Sequence, residues 1–325
     1  MARVSTVRRS NAPWWIGLGV ILATFIGTVV ALNLTLYSPA GFVGTYLAAL
    51  ETKNPDAALA TPGVATIPGV SESLLQRESL GELSDIALIN TIDDGRDTLV
   101  HYSFTLDGLP GESLFRVTHT GMRLGLFNAW KFVESPVSVV EVTPVGDPRF
   151  EANGIRLATN APNESATWQV LTPSVLTLTH NTAYLTAEDR TVLITEPGTL
   201  TVAEVEVRAS ERFVSEVQSE VDDYLTECAA QTVLFPTGCP FGYSVSNRLE
   251  SPPTWTIATF PMISIVPGDF PGEWLVAGGN GTARVQAEVQ SLFDGSVSHL
   301  DETVDFTLVW AMTVSTSDAV TITGG

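Results

Sequence analysis

The sequence predicts an α+β protein: one N-terminal transmembrane helix, then two helix-plus-antiparallel-sheet modules flanking a small all-β module. Three observations carry that expectation. No charged residue occurs from Trp14 to Leu36, the later hydrophobic pattern alternates between helical and two-residue periods, and the stretch from Pro136 to Val207 holds almost no helical periodicity. The expected boundaries are a cytoplasmic tail at 1–13, the span at 14–36, an α+β module at 37–135, the β module at 136–207 and a second α+β module at 208–325.

As a helix, the uncharged run would be about 35 Å long, enough to cross a hydrocarbon core of about 30 Å with some tilt. Arg3, Arg8 and Arg9 precede it with no acidic residue among them. The positive-inside bias therefore keeps the amino terminus in the cytoplasm and exports the bulk of the chain. Trp14 and Trp15 stand where an interfacial aromatic belt belongs, and Tyr37 marks the opposite interface. A cleaved signal peptide is the rival reading; its apolar region is normally about 7 to 15 residues, and no convincing small-x-small site follows Leu36. The expected location is thus the cell membrane, in single-pass form, with the bilayer as partner through residues 14–36. Gly19, Ala23 and Gly27 repeat small residues at four-residue spacing, a pattern that also suits helix–helix contact.

Beyond the run, Ser38-Pro39 is an N-cap followed by proline at the first helical position, and Phe42, Val43, Tyr46, Leu47 and Leu50 recur at helical spacing. Asn54-Pro55 repeats the start signal for a short second helix. Four strands follow, over 86–91, 98–106, 113–120 and 126–133, with turns expected at Asp94-Gly95, at Asp107-Gly108 with Pro110-Gly111, and at Gly121. Thr- and Val-rich runs at 137–142, 167–170, 175–179, 191–195 and 199–207 make up the middle module, punctuated by Asn153-Gly154 and Pro197-Gly198. From Ser210 the period is helical again, with Phe213, Val217, Val221, Leu225 and Cys228 on one face. Strands are then expected over 254–260, 274–277, 282–293 and 297–314, the last two as one long hairpin turned at Asp294-Gly295. Both flanking modules share a plan, a leading helix and then a sheet, with Trp130 and Trp310 in late strands.

Composition limits the functions available. The 325 residues are 44% hydrophobic and 8% aromatic, apolar enough to bury a core, while 16 basic against 36 acidic side chains leave a formal charge of −20. Such a surface repels phosphate backbones, so nucleic acid is not expected as a partner.

Residues Tyr46 to Leu59 resemble the opening helix of extracytoplasmic domains of the nuclear transport factor 2-like or cystatin-like superfamily, with Asn54-Pro55-Asp56 where Gly-Asp is more usual. The segment from Val221 to Trp255, with Cys228, Phe235 to Phe241 and Trp255, is similar to a pattern in uncharacterised membrane-anchored proteins of high-GC Gram-positive bacteria. The resemblance implies a curved sheet behind each leading helix and carries no reaction with it.

Chemistry-bearing motifs are sparse. Cys228 and Cys239 enclose ten residues, a spacing that a disulfide closes easily outside the reducing cytoplasm. A redox-active pair is the alternative, although Cys-x-x-Cys spacing is missing. His101, His119, His180 and His299 each stand alone in strand-like runs and are expected as exposed strand or turn residues. Asp93, Asp94 and Asp97 around Gly95 suit a hairpin turn better than a calcium loop, and Gly278-Gly279-Asn280-Gly281 opens no helix. A cone-shaped sheet could still enclose a proton-abstracting carboxylate, with Asp85, His101 and His119 as candidates in the first module and Glu288, His299 and Asp305 in the second. No catalytic residue, cofactor or metal is assigned. The expected function is a non-enzymatic binding or scaffolding surface for an envelope or membrane protein; the alternative is a small-molecule pocket of the isomerase or dehydratase kind.

Overall fold

A computed structural model describes residues 12–315 and 320–323. The protein is α+β, mostly sheet with few helices. Residues 1–11 of the expected tail, with Arg3, Arg8 and Arg9, lie outside the described residues, and Ala12 and Pro13 already belong to helix α1 (Ala12–Leu34). This helix is long and apolar enough to cross a membrane, a property it shares with a signal sequence. Every residue from Gly17 to Thr28 is exposed, and the Thr24 and Thr28 hydroxyls donate to the carbonyls four residues back, at 2.9 Å each. Both hydroxyls are thus satisfied within the helix itself.

The first module begins without a linker. Helix α2 (Pro39–Glu51) starts at Ser38, whose hydroxyl accepts from Gly41 N at 2.9 Å and donates to Thr35 O at 2.6 Å. A Cβ on Gly41 would lie 2.2 Å from Thr35 O, so only glycine lets α2 pack this closely on the end of α1. Helix α3 (Pro55–Leu59) is capped by Asn54. Strands β1 (Leu83–Asp94), β2 (Asp97–Leu106), β3 (Leu109–Arg123) and β4 (Phe127–Phe132) form an antiparallel meander in that order. Val43, Tyr46, Leu47 and Leu50 of α2 join Val100, Tyr102, Phe104, Phe115, Val117 and Phe132 in one core, the strand residues alternating as a half-buried sheet requires.

Two turns differ from expectation. Pro110-Gly111 lies within β3, because Asp107-Gly108 alone closes the hairpin, with positive φ at both residues. Gly121 marks a bulge in β3, and the chain reverses three residues later, at Leu124-Gly125. Leucine is not a turn former, so the nearest glycine in a strand-like context drew the sequence assignment.

The middle stretch forms a seven-stranded sheet in the order β7-β6-β9-β10-β11-β5-β8, from β5 (Val137–Val145), β6 (Arg149–Ala152), β7 (Ile155–Ala158), β8 (Ala166–Leu171), β9 (Ser174–Asn181), β10 (Leu185–Ile194) and β11 (Leu200–Ala209). All neighbours are antiparallel except β11 and β5. The sheet is tied to the first module at two buried points. The Tyr46 hydroxyl lies 2.8 Å from Thr172 O and 3.1 Å from Pro136 O. The Gln169 amide accepts from Ile67 N and donates to Ile67 O and Val70 O.

Helix α4 (Glu211–Ala229) is capped by Ser210 and buries Phe213, Val221, Leu225 and Cys228. After it come β12 (Arg248–Leu249), β13 (Thr254–Thr259), β14 (Ile263–Pro267), β15 (Glu273–Gly278), β16 (Gly281–Gln290), β17 (Val297–Phe306), β18 (Val309–Val314) and β19 (Val320–Thr323). Instead of one sheet they make two: β16 flanked by β12, β13 and β17, and a second in the order β14-β15-β18-β19. The expected run 297–314 is therefore split, the hairpin ending at Phe306 and β18 pairing with β15. Both crossings lie side by side. Gly278 N donates to Leu308 O at 2.9 Å, and a Cβ on Gly281 would lie 2.4 Å from the Phe306 ring, so the glycine-rich run provides the room for the chain to change sheets. One continuous core joins these sheets, α4 and the middle sheet through Phe150, Trp168, Leu225, Trp274 and Met312.

Candidate functional site

A cavity of about 1080 Å³ forms an open groove between α4 and β18. The helix that faces the core with Phe213, Val221 and Leu225 turns its adjacent stripe, Val217 and Tyr224, into the groove, with Glu216 and Glu220 along the rim. Strand β18 supplies the other wall with Val309, Trp310 and Met312, and Leu308 just before it adds to that wall; the Tyr224 and Trp310 rings meet edge to face at 5.3 Å. Val309 is 65% exposed, although it follows the buried Leu308.

The end wall is built by the Cys228–Cys239 disulfide, whose Cα atoms are 5.7 Å apart. It fastens the last turn of α4 to a loop that Gln231 also holds, accepting from Thr237 N at 2.8 Å and donating to Thr237 O at 3.2 Å. The Tyr224 hydroxyl donates to Gly238 O. Burial pushes that hydroxyl above its ordinary value. Trp255 Nε1 donates to Val233 O at 2.8 Å and holds the same loop from the sheet side.

The groove's titratable side chains are Glu216, Glu220, Tyr184 and Tyr224, and Glu216 is paired with Arg212 at 2.8 Å. Among the described residues, the lining offers apolar contact, aromatic faces and the carboxylates of Glu216 and Glu220. This is chemistry for binding an apolar segment that carries positive charge. A second cavity of about 430 Å³ lies between α2, α3 and β4, lined by Tyr37, Phe42, Pro62, Arg123 and Trp130 among others.

The candidate acids and bases do not assemble around either cavity. Asp85 is exposed at a bulge in β1, with positive φ. His101 pairs with Glu112 at 3.1 Å, and His119 packs on Trp130 with ring centres 5.2 Å apart. Glu288 and His299 stand directly opposite each other on β16 and β17, 2.9 Å apart, on the outer face. That face continues with Gln286 opposite Asp301 and with Thr282, whose hydroxyl meets Asp305 at 3.0 Å. It is a solvated polar ladder, while Val285, Ala287 and Val289 face inward.

His180 corrects the expectation of an exposed residue. It follows Leu176 and Leu178 on the inward side of β9, is buried, and holds Arg149 O with Nδ1 at 2.8 Å. Among the described residues no group of three or more His, Cys, Asp or Glu is arranged to hold a metal ion. Of the groove residues, the sequence singled out Phe213 and Val217 on the helix face, Cys239 and Trp310; Tyr224 and Val309 carried no local signal. The chain matches no known family model, no curated protein and no solved structure.

Proposed function

We propose that the chain is a single-pass membrane-anchored envelope protein, amino terminus in the cytoplasm and bulk outside, whose exported modules act as a binding surface without catalysing a reaction. The observation that supports this reading best is the groove between α4 and β18. It combines ligand-site size and aromatic walls with the carboxylates of Glu216 and Glu220 along its rim. Its occupant is an apolar, positively charged segment of an envelope or membrane protein. The anchor and its orientation rest on the uncharged helix and on the arginines ahead of it.

Within this reading, residues 37–135 follow the nuclear transport factor 2-like or cystatin-like plan of a helix laid across an antiparallel sheet. Packing of α2 on β2, β3 and β4 supports it. A pocket protein of that plan, with or without isomerase- or dehydratase-like chemistry, is the second reading. What favours it is the 430 Å³ cavity beside α2, large enough for a small ligand.

A mild-detergent pull-down of the full-length protein from native membranes, paired with native mass spectrometry, separates the two. The first reading expects a stoichiometric protein partner that is lost in Val309→Asp, a change confined to an exposed groove residue. A retained small molecule with no protein partner, unaffected by Val309→Asp, would replace it with the second.

A further inference from the structure

We propose that the tip of the β3–β4 hairpin is a second membrane contact, laid into the headgroup–acyl boundary of the leaflet that the C-terminal end of α1 reaches. The inference rests on α1 being a membrane span and adds to it a surface of the folded module.

Direction comes first. Asn33, in the last turn of α1, donates to Leu126 O and accepts from Asn128 N, both at 2.8 Å. Four residues on, Tyr37 stacks on Phe127 with ring centres 4.5 Å apart and accepts from Trp130 Nε1 at 2.9 Å. Strand β4 thus runs alongside the chain as it leaves the span. Followed backwards, toward Gly125 and Leu124, it runs down α1 toward the lipid. Exposure along α1 agrees: residues 17–28 are open, and Val29, Leu32 and Asn33 are half-buried.

The chemistry of the tip points the same way. Leu124 is 83% exposed and Met122 58%, and Leu126 is exposed beside them. Leu34 and Leu36, exposed at the end of α1, extend the same belt. Leu124 also sits at φ +54°, where a branched side chain is disfavoured. Two other hairpins of this chain fill the corresponding left-handed position with Asp107 and Asn153, residues that suit both the turn and water. At the β3–β4 tip a leucine is unfavourable on both counts in water, and the second penalty becomes a gain in lipid. Arg123 is exposed between Met122 and Leu124, placed to reach phosphate, and Tyr37 and Trp130 lie at the depth where amphipathic rings collect.

Both native cysteines are in the disulfide, so one introduced cysteine can be labelled selectively. Full-length protein carrying Met122→Cys, Val20→Cys or Phe293→Cys would be labelled with an environment-sensitive fluorophore. Each variant would then be reconstituted into vesicles of equal parts phosphatidylethanolamine and phosphatidylglycerol containing nitroxide lipids. Position 293 lies in the turn of the β16–β17 hairpin, 98% exposed, and serves as the water reference. The expected result is a blue-shifted label at 122, quenched several-fold more than at 293 by nitroxide near the headgroup, with loss of that quenching in Leu124→Asn. Position 20 should be quenched by nitroxide deep in the chains. Quenching at 20 with none at 122 overturns the hairpin contact alone, whereas no quenching at 20 removes the span reading and this inference with it. A label at 122 that stays wet in pure lipid and is shielded only in native membranes would assign the tip to a protein partner and overturn lipid contact.

Discussion

The module beside α1 and the region beyond residue 208 use similar parts in opposite ways. In residues 37–135 one helix covers one sheet, the core is compact, and the connection to α1 is fixed by Ser38, Gly41, Asn33 and Tyr37. In residues 208–323 the helix lies against strands divided between two sheets, leaving the wide groove along β18, and a disulfide holds its end. The difference teaches that the module next to α1 is fastened to it by hydrogen bonds and a close glycine contact, while the wider concavity lies in the region beyond residue 208. In the first module α2 gives Val43, Tyr46, Leu47 and Leu50 to the core and leaves the smaller cavity beside Phe42 and Thr45. A sheet that splits leaves a strand such as β18 with apolar side chains facing open space.

That contrast can be broken by perturbing each region separately. The largest effect is expected from Cys228→Ser, which opens a loop of about 12 residues and should lower stability by about 3 kcal/mol in the entropic account. Hydrogen exchange should rise in α4 and in the loop to Phe241 while α2 stays protected; equal loss in both would mean the two regions are one cooperative unit. Next is Tyr46→Phe, which removes the donor shared by Pro136 O and Thr172 O at the join with the middle sheet. A loss of about 1–3 kcal/mol is expected. It should appear in α2 and β5 with no change at the groove, as read by Trp310 fluorescence and hydrogen exchange.

The smallest effect is one of pH, confined to the β16–β17 hairpin. The Arg284 guanidinium holds the Asp301 carboxyl below its ordinary value, and bonds from Ser296 and Ser291 do the same for Asp294. A group whose folded value is depressed contributes stability above its unfolded value and loses it as pH falls through the folded one. Lowering pH from neutral to about 3 should therefore fray this hairpin slightly, visible in amide exchange of residues 294–301. Both carboxyls lie on the outer, solvent-accessible face, so the global melting temperature should move little from this cause.

Much of the fold was legible because its signals are local. Ser38-Pro39 and Ser210 cap helices where the hydrophobic period begins, and β2, β3 and β16 alternate cleanly. What escaped depends on distant neighbours. The alternation of residues 297–314 continues through Leu308 and carries no mark of the sheet change that Gly278 and Gly281, some thirty residues earlier, make room for. Strands β6 and β7 have four residues each, too short to show a period, and only the Asn153-Gly154 turn between them stood out. His180 looked exposed because a histidine in a Thr-rich run suggests solvent, yet register places it inward with Leu176 and Leu178. The disulfide partners could be paired from spacing and compartment. The groove could not be foreseen, since Tyr224 and Trp310 are brought together only once β18 lies beside α4.

The central claim is that the groove between α4 and β18 binds a protein segment. Its most direct test is site-specific photocrosslinking in intact cells expressing the full chain, with a photoreactive residue at Val309 or, for comparison, at the exposed Val202 on β11. The account predicts a discrete protein adduct of one mass from position 309 and none from 202. Equal labelling at both positions, or no protein adduct at 309 in folded, membrane-inserted chain, would contradict it.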